Sequence, residues 1–280
     1  AQATCLTPKL LGFLFHHEGA MAHLKPPLTG PTTPPGRCEA VVTPSLNRGP
    51  STGTTTDPSD DSEETEIDSD SDNGHRFAAQ DTVVIFDWDD TVFPSTWVKE
   101  QVPCPNGVPL LTCCQREGLA ELTQRVDETL ATAKQLGTVL LVTNAEHGWI
   151  ELSCQTFMPR LLPSLRDVKV MSARTAYETP SLSSPFEWKL KAFESEIARV
   201  FSPNVNGLRR KNVVSLGDSS HEREALINAT ANLPNCRTKS LKFVERPDVE
   251  QLCKQHLFVA RCLRRIVHHD GNLDLFVRDM

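Results

Sequence analysis

Short apolar runs alternate along this chain with longer stretches in which apolar residues recur every three or four positions. The short runs are nearly continuous in β-branched and other apolar residues, as expected of strands that are buried on both faces of a sheet. The pattern therefore predicts strands at 82–86, 138–142, 168–171 and 212–216, and a weaker one at 240–244.

Four amphipathic stretches lie between or after these runs and predict helices. The first is expected to end at Gly137 as a glycine C-cap, and the second is expected to stop at Pro163. In chain order, the apolar stripes are Leu119, Leu122, Val126, Leu130, Ala133 and Leu136; Ile150, Cys154, Phe157 and Leu161; Phe193, Ile197, Val200 and Phe201; and Leu252, Val259, Leu263 and Ile266.

Strands that alternate with helices favour an α/β fold, a doubly wound parallel sheet of Rossmann-like type with helices on both faces. This domain is predicted over 79–280 and ends in a C-terminal helix. Little room is left for a cap domain, since the gap after the first strand is mostly filled by one helix and a Pro- and Cys-rich loop at 94–114. That loop is long enough for a small flap.

The first quarter of the 280-residue chain has a different composition. Residues 1–75 hold 4 Lys+Arg and 11 Asp+Glu, so they account for the whole net charge of −7. Such a stretch buries too little apolar surface to offset its ordering entropy, and 1–78 is predicted to be a disordered tail. The tail either only solvates the protein or is a partner-binding or phosphorylated segment. The second interpretation rests on Thr65 and Ser69, which each have an acidic residue three positions on.

Several classes of protein are excluded by composition. No apolar run approaches the roughly 20 residues that span a bilayer, and the apolar run at 10–15 is too short for a signal peptide. Nine Cys without a CxxC pair indicate neither a disulfide framework nor a zinc ribbon. We expect an intracellular, reducing location in the cytoplasm or nucleus, with neither a membrane nor nucleic acid as partner, while the oligomeric state stays open.

Candidate chemistry lies where the predicted strands end, because ligands of doubly wound sheets bind beyond the carboxyl ends of the strands. Several carboxylates held together take up protons unless a cation compensates them, and a few hard oxygen ligands suit Mg²⁺. Beside a lysine and a threonine hydroxyl, such a site suits a phosphoryl group. The polar residues that follow three strands or open the third stripe are Asp87, Asp89, Thr143, Lys189, Asp218 and Glu222.

These residues resemble the four motifs of the haloacid dehalogenase superfamily. The segment VVIFDWDDTV at 83–92 is similar to the first motif, a hydrophobic strand followed by DxDx[TV]. LLVT at 140–143 is similar to the second motif, Lys189 to the third, and VVSLGD at 213–218 with Glu222 to the fourth. The resemblance covers about 81–245, and the phrase FDWDDT, with its second acid, indicates a subgroup like the phosphohydrolase branch.

The resemblance implies a Mg²⁺-dependent phosphomonoester hydrolase that forms an aspartyl-phosphate. Asp87 is then the nucleophile and a metal ligand. Asp89 acts as general acid and then base, and binds the metal through its backbone carbonyl. Thr143 hydrogen-bonds the phosphoryl oxygens, and Lys189 neutralises Asp87 and the transferring group.

In the same resemblance Asp218 is a direct metal ligand, and Glu222, where family members often have Asp, holds a metal-bound water. Asp90 replaces the Gly common at its position. The missing cap favours a phosphoprotein or another large substrate. The alternative is a catalytically inactive module in which the tail and the 94–114 loop recruit partners.

Two further clusters have both a structural and a functional interpretation. His268 and His269 beside Asp270 would suit a metal ion, but a helix C-terminal cap is favoured. The run Arg209-Arg210-Lys211 precedes the fourth predicted strand at its amino end. Surface charge is favoured there over nucleic-acid binding.

Overall fold

The computed structural model describes residues 77–202 and 209–277. Six of its segments are strands that form a parallel sheet in the order β3-β2-β1-β4-β5-β6. The strands are β1 (Thr82–Phe86), β2 (Thr138–Thr143), β3 (Lys169–Ser172), β4 (Lys211–Gly217), β5 (Cys236–Lys242) and β6 (Leu273–Phe276).

Helices cover both faces of this sheet. They are α1 (Ser95–Gln101), α2 (Cys113–Leu136), α3 (Trp149–Phe157), α4 (Leu162–Leu165), α5 (Ala173–Tyr177), α6 (Pro185–Phe201), α7 (Ser220–Thr230) and α8 (Val249–His268). Alternate residues of β1 point to opposite faces: Val84 and Phe86 pack in one apolar cluster with α2, α3 and α8, and Val83 and Ile85 in another with α6 and α7. The predicted doubly wound α/β fold is confirmed.

The apolar stripes predicted for α2 and α8 are buried throughout. The second stripe ends earlier than expected, because α3 stops at Phe157 and Pro159 opens a separate short turn. Gly137 does follow α2, but its φ of 179° is extended, not left-handed. Glycine is needed there because a Cβ would lie 2.5 Å from the carbonyl oxygen of Thr82.

Five of the helices and strands given above were not predicted: α1, α4, α5, α7 and β6. The stretch 94–114, expected to be a loop, begins with the short helix α1, which buries Val98. At the other end of the chain, β6 pairs with β5 at the edge of the sheet. The predicted tail at 1–78 lies outside the described residues except for its end, where Phe77 is buried in the domain.

The register of the sheet brings the predicted site residues to one edge. Phe86, the last residue of β1, is paired with Leu216 on one side and with Leu141 on the other. The amide of Asp87 then donates to the carbonyl of Leu216 over 2.9 Å. The residues that follow β1, β2 and β4 are therefore neighbours.

None of the described helices is long and apolar enough to cross a membrane. The cysteines of the described ranges are free thiols: Cys104, Cys113, Cys114, Cys154, Cys236, Cys253 and Cys262. In the described part of the chain, the short helices α1 and α5 lie after β1 and β3, before the next long helix.

Candidate active site

A buried lysine joins two carboxylates at the carboxyl edge of the central strands. Lys189, on the first turns of α6, is 1% exposed, and its Nζ donates to Oδ1 of Asp87 and, over 2.7 Å, to Oε1 of Glu222. Although burial lowers the pKa of Lys189, the two carboxylates outweigh it and raise that pKa above its ordinary value. Lys189 is therefore charged at any physiological pH.

The two carboxylates respond differently to this environment. Burial raises the pKa of Asp87 well above its ordinary value, against the charge of Lys189 and with the help of nearby Glu222. For Glu222, burial is overcome by Lys189 and by hydrogen bonds from Lys189 and Ser219, which lower its pKa. Lys189 thus supplies a single positive charge to two buried carboxylates.

Glu222 also takes part in the capping box at the N-terminus of α7. Its Oε2 accepts from the amide of Ser219 over 3.1 Å and from the Ser219 hydroxyl, and that hydroxyl caps the helix in return. A Cβ on Gly217 would lie 2.5 Å from Cγ of Glu222, so glycine there leaves room for the side chain to reach Lys189. The N-cap residue of α7 is therefore Ser219, and the Asp218 side chain faces the site instead.

Asp89 is held by two donors from different elements. Thr143, at the end of β2, donates to Oδ2 over 2.8 Å, and the indole Nε1 of Trp149 donates to Oδ1 over 2.8 Å. Burial raises the pKa of Asp89, and the hydrogen bonds from Trp149 and Thr143 oppose that rise. A carboxyl group with a raised pKa is suited to carry a proton as a general acid.

The loop between Asp87 and α1 is fixed by Asp90. This residue has a left-handed φ of 54°, which a Gly would adopt without strain. Its side chain offsets the strain by accepting from the amide of Thr96 over 2.9 Å, from the Thr96 hydroxyl and from the hydroxyl of Ser95. Asp90 is thereby the anchor of α1, a role that its departure from the family pattern did not indicate.

Asp218 is the uncompensated carboxylate of the cluster. Among the described residues no Lys or Arg side chain lies within ion-pair distance of it, and Lys242 donates only to its backbone carbonyl, over 2.9 Å. Burial raises the pKa of Asp218 to about 7, and the charges of Glu222 and Asp90 add to the effect. The edge of the sheet therefore holds more negative charge than Lys189 can balance.

This excess charge bears on the predicted magnesium. No three His, Cys, Asp or Glu side chains converge as a ready-made metal cluster within 77–202 and 209–277. The predicted magnesium site needs fewer than three such side chains, since Mg²⁺ usually binds one or two carboxylates and completes its coordination shell with water and phosphate oxygens. Asp87 and Asp218, which interact electrostatically, together with the backbone carbonyl of Asp89, fit such a site, and a divalent cation would supply the missing charge.

The structure thus brings together all six predicted site residues, with differences in contacts at two of them. The Thr143 hydroxyl, predicted to reach the phosphoryl oxygens, donates to Asp89 instead. Both oxygens of Glu222 are engaged by Lys189 and Ser219, so its predicted hold on a metal-bound water stays a prediction. Sequence reasoning missed Trp149 and the pair Ser95 and Thr96. None of these three belongs to an apolar stripe or a family motif, and no signal in the sequence links them to the carboxylates.

The remaining clusters have structural roles. Arg210 pairs with Asp270, and Lys211 is buried and donates to the carbonyl of Pro234 over 3.3 Å, so the predicted surface run is partly internal. The amide of His269 donates to the carbonyl of Arg265 over 3.0 Å at the end of α8.

Comparisons with known proteins add no further assignment. No protein-family model, no curated protein and no solved structure matches this chain.

Proposed function

We propose that this chain is a Mg²⁺-dependent phosphomonoester hydrolase that works through an aspartyl-phosphate on Asp87. The observation that carries the proposal is the buried contact of Asp87 with Lys189 at the carboxyl end of the central strand. Lys189 opposes the burial that raises the pKa of Asp87, and together with a bound Mg²⁺ it would favour the ionised nucleophile and balance the charge of an incoming phosphoryl group. Asp89, half-buried and with a raised pKa, is available as the acid.

Two balanced steps follow from this arrangement. In the first, a carboxylate oxygen of Asp87 bonds to phosphorus as the bond from phosphorus to the leaving oxygen breaks, and protonated Asp89 gives that oxygen its proton. In the second, Asp89 takes a proton from a water molecule whose oxygen bonds to phosphorus, while the bond from Asp87 to phosphorus breaks. The products are an alcohol and inorganic phosphate, and both carboxyl groups return to their starting states.

Magnesium, when bound, would neutralise the phosphate oxygens. Asp87, Asp218 and the carbonyl of Asp89 would hold it, and Lys189 would orient the phosphoryl group. Thr143 would join Lys189 only if its one hydroxyl proton turned from Asp89 to the phosphoryl oxygens. The short insertions after β1 and β3 support a large substrate, such as a phosphoprotein, because no described cap domain closes over a small one.

The test is hydrolysis of p-nitrophenyl phosphate by the full chain, with Mg²⁺ and with EDTA. We expect activity only with Mg²⁺, and a loss of more than about 10³-fold in Asp87→Asn, since removing a nucleophile abolishes the covalent route. Asp167→Asn, at an exposed aspartate before β3, is the matched control and should keep full activity.

Activity that survives Asp87→Asn would refute the nucleophile assignment. A wild-type chain that hydrolyses no phosphomonoester with Mg²⁺ would refute the enzyme and leave the inactive interaction module.

A further inference from the structure

A tryptophan outside the predicted motifs contacts the proposed general acid. Trp149 is the first residue of α3 and is 7% exposed. Its indole N–H and the hydroxyl of Thr143 donate to the two different oxygens of Asp89. We propose that Trp149 is a positioning residue, which fixes the carboxyl group of Asp89 for proton transfer to the leaving oxygen; this inference rests on the proposed function.

The indole is itself held in place by an aromatic cluster. Its ring meets the ring of Phe93 edge-on, with the centroids 6.0 Å apart, and Phe93 also packs against Trp88 and Phe157. Phe93 belongs to the same loop as the acid, because its carbonyl accepts from the amide of Asp90 over 2.7 Å. The cluster therefore couples the position of the indole N–H to the loop that carries Asp89.

The backbone before α3 contributes to the same placement. Gly148 has a left-handed φ of 87°, which glycine adopts without a steric cost. The amide of Trp149 donates to the carbonyl of Glu146 over 3.1 Å. This turn starts α3 immediately after β2, so that Trp149 and Thr143 approach Asp89 from neighbouring segments.

The hydrogen bonds to both carboxyl oxygens of Asp89 do not prevent it from transferring a proton. A carboxylate has about four lone-pair sites; Thr143 and Trp149 use one on each oxygen of Asp89, and Ser95 is a third hydrogen-bond partner of the same group, which still leaves one site open. The terminal torsion of an aspartate is otherwise broad. Removing the Trp149 donor would let the carboxyl group turn, and a misplaced acid protonates the leaving oxygen less effectively.

The experiment compares two substrates that share a phosphoryl group but differ in leaving group. The nitrophenolate of p-nitrophenyl phosphate needs little protonation, whereas the alkoxide of phosphoserine needs a general acid, which typically contributes about 10²–10⁴-fold. In Trp149→Phe we expect kcat/KM to fall about 10- to 100-fold for phosphoserine and less than about 3-fold for p-nitrophenyl phosphate. The ratio kcat/KM reports the first phosphoryl transfer, so slow hydrolysis of the intermediate does not mask the difference.

The matched control is Ser153→Ala. Ser153 accepts the indole N–H of Trp88 over 2.9 Å, and its hydroxyl donates to the backbone carbonyl of Trp149 over 2.7 Å, so this variant loses contacts within the same cluster but keeps the Trp149 indole N–H that donates to Asp89. We expect it to change both substrates by the same factor. Trp149→His, which keeps a ring N–H, should recover part of the phosphoserine activity and provides a second variant should Trp149→Phe fold poorly.

Equal losses on both substrates in Trp149→Phe, without recovery in Trp149→His, would show that Trp149 only supports the fold and would overturn the inference while the hydrolase stands. A wild-type chain inactive on both substrates would instead refute the hydrolase itself and the inference with it.

Discussion

A single lysine shared by two buried carboxylates is the most consequential feature at the residue scale. Replacing Lys189 by Met leaves Asp87 and Glu222 buried without their ammonium, and breaking a buried pair from one side costs about 3–5 kcal/mol. In the variant both carboxyl groups are accommodated by taking up protons. The folded pKa of Glu222, lowered in wild type, then rises above its unfolded value, and that of Asp87, already raised, rises further. The free energy of unfolding is then lost progressively as pH rises.

Urea unfolding in EDTA should therefore show a larger difference between wild type and Lys189→Met at pH 8 than at pH 5. The control is Lys191→Met on the same helix, because Lys191 is exposed and pairs only with Glu194 in the described part of the chain. It should stay within about 0.5 kcal/mol of wild type at both pH values. A loss in Lys189→Met that is the same at pH 5 and pH 8 would contradict this account.

Some residues of the site could be predicted from the sequence, and others could not. Asp87, Thr143 and Asp218 could be predicted because Asp87 and Asp218 directly follow a strand with a clear apolar run and Thr143 ends one. The contact of Trp149 with Asp89 spans 60 positions and depends on the direction of two side chains. Hydrophobic periodicity carries no information on such a direction, so that contact had to come from the structure.

At the scale of elements, the junction of α2 with β2 depends on a close approach of backbone to backbone. A Cβ on Gly137 would lie 2.5 Å from the carbonyl oxygen and 2.8 Å from Cγ2 of Thr82, which is buried in β1. Backbone atoms of a central strand cannot move aside cheaply. We expect Gly137→Ala to lower the free energy of unfolding by about 1–3 kcal/mol, as overpacking does.

Gly118→Ala tests the same exchange inside α2. Its Cβ would meet only a side-chain atom, Cγ1 of Val249, at 3.3 Å, and alanine gains about 1 kcal/mol of helix propensity over glycine. Chemical denaturation should find Gly118→Ala no less stable than wild type. Similar losses in the two variants would show that steric approach at Gly137 is not the cause.

Elements were predictable where burial is continuous and obscure where it is partial. The four inner runs of β1, β2, β4 and β5 were found, although 240–244 was placed four residues late in β5. In contrast, β6 is a four-residue edge strand whose exposure alternates, and α1 has only Val98 buried in seven residues. Neither leaves the long apolar signature on which the predictions depended.

At the scale of the whole molecule, a second buried lysine connects several elements at the amino edge of the sheet. Lys239 of β5 is fully buried, and its Nζ donates to Oδ1 of Asn212 in β4 over 2.8 Å and to the carbonyl of Val267 in α8 over 2.6 Å. The Nζ also lies 4.6 Å from the ring centroid of Phe77. One side chain thus joins two strands, the last helix and the start of the described domain.

Lys239 makes global stability depend on pH, because no carboxylate of the described residues lies within ion-pair distance of it. Burial lowers its pKa from 10.5 to about 7, Asp270 opposes the shift, and Arg210 and Arg237 add to it. Between these two values the unfolded chain binds more protons than the folded one, so the free energy of unfolding rises with pH. The slope is on the order of 1 kcal/mol per pH unit.

Denaturant unfolding in EDTA should accordingly show the free energy of unfolding of Lys239→Met falling behind that of wild type by on the order of 1 kcal/mol per pH unit between pH 7 and pH 9. The raised carboxyl pKa values of Asp87 and Asp218 act on both proteins alike and cancel in this difference. The range stops at pH 9 because burial raises the pKa of Cys154 and Cys253 to about 12, and thiols that ionise only in the unfolded chain reverse the trend above their ordinary pKa of 9.0. Lys99→Met, at an exposed lysine of α1, should follow the wild-type curve. If Lys239→Met follows it as well, Lys239 is not the group that titrates, and its amine is charged in the folded protein throughout this range.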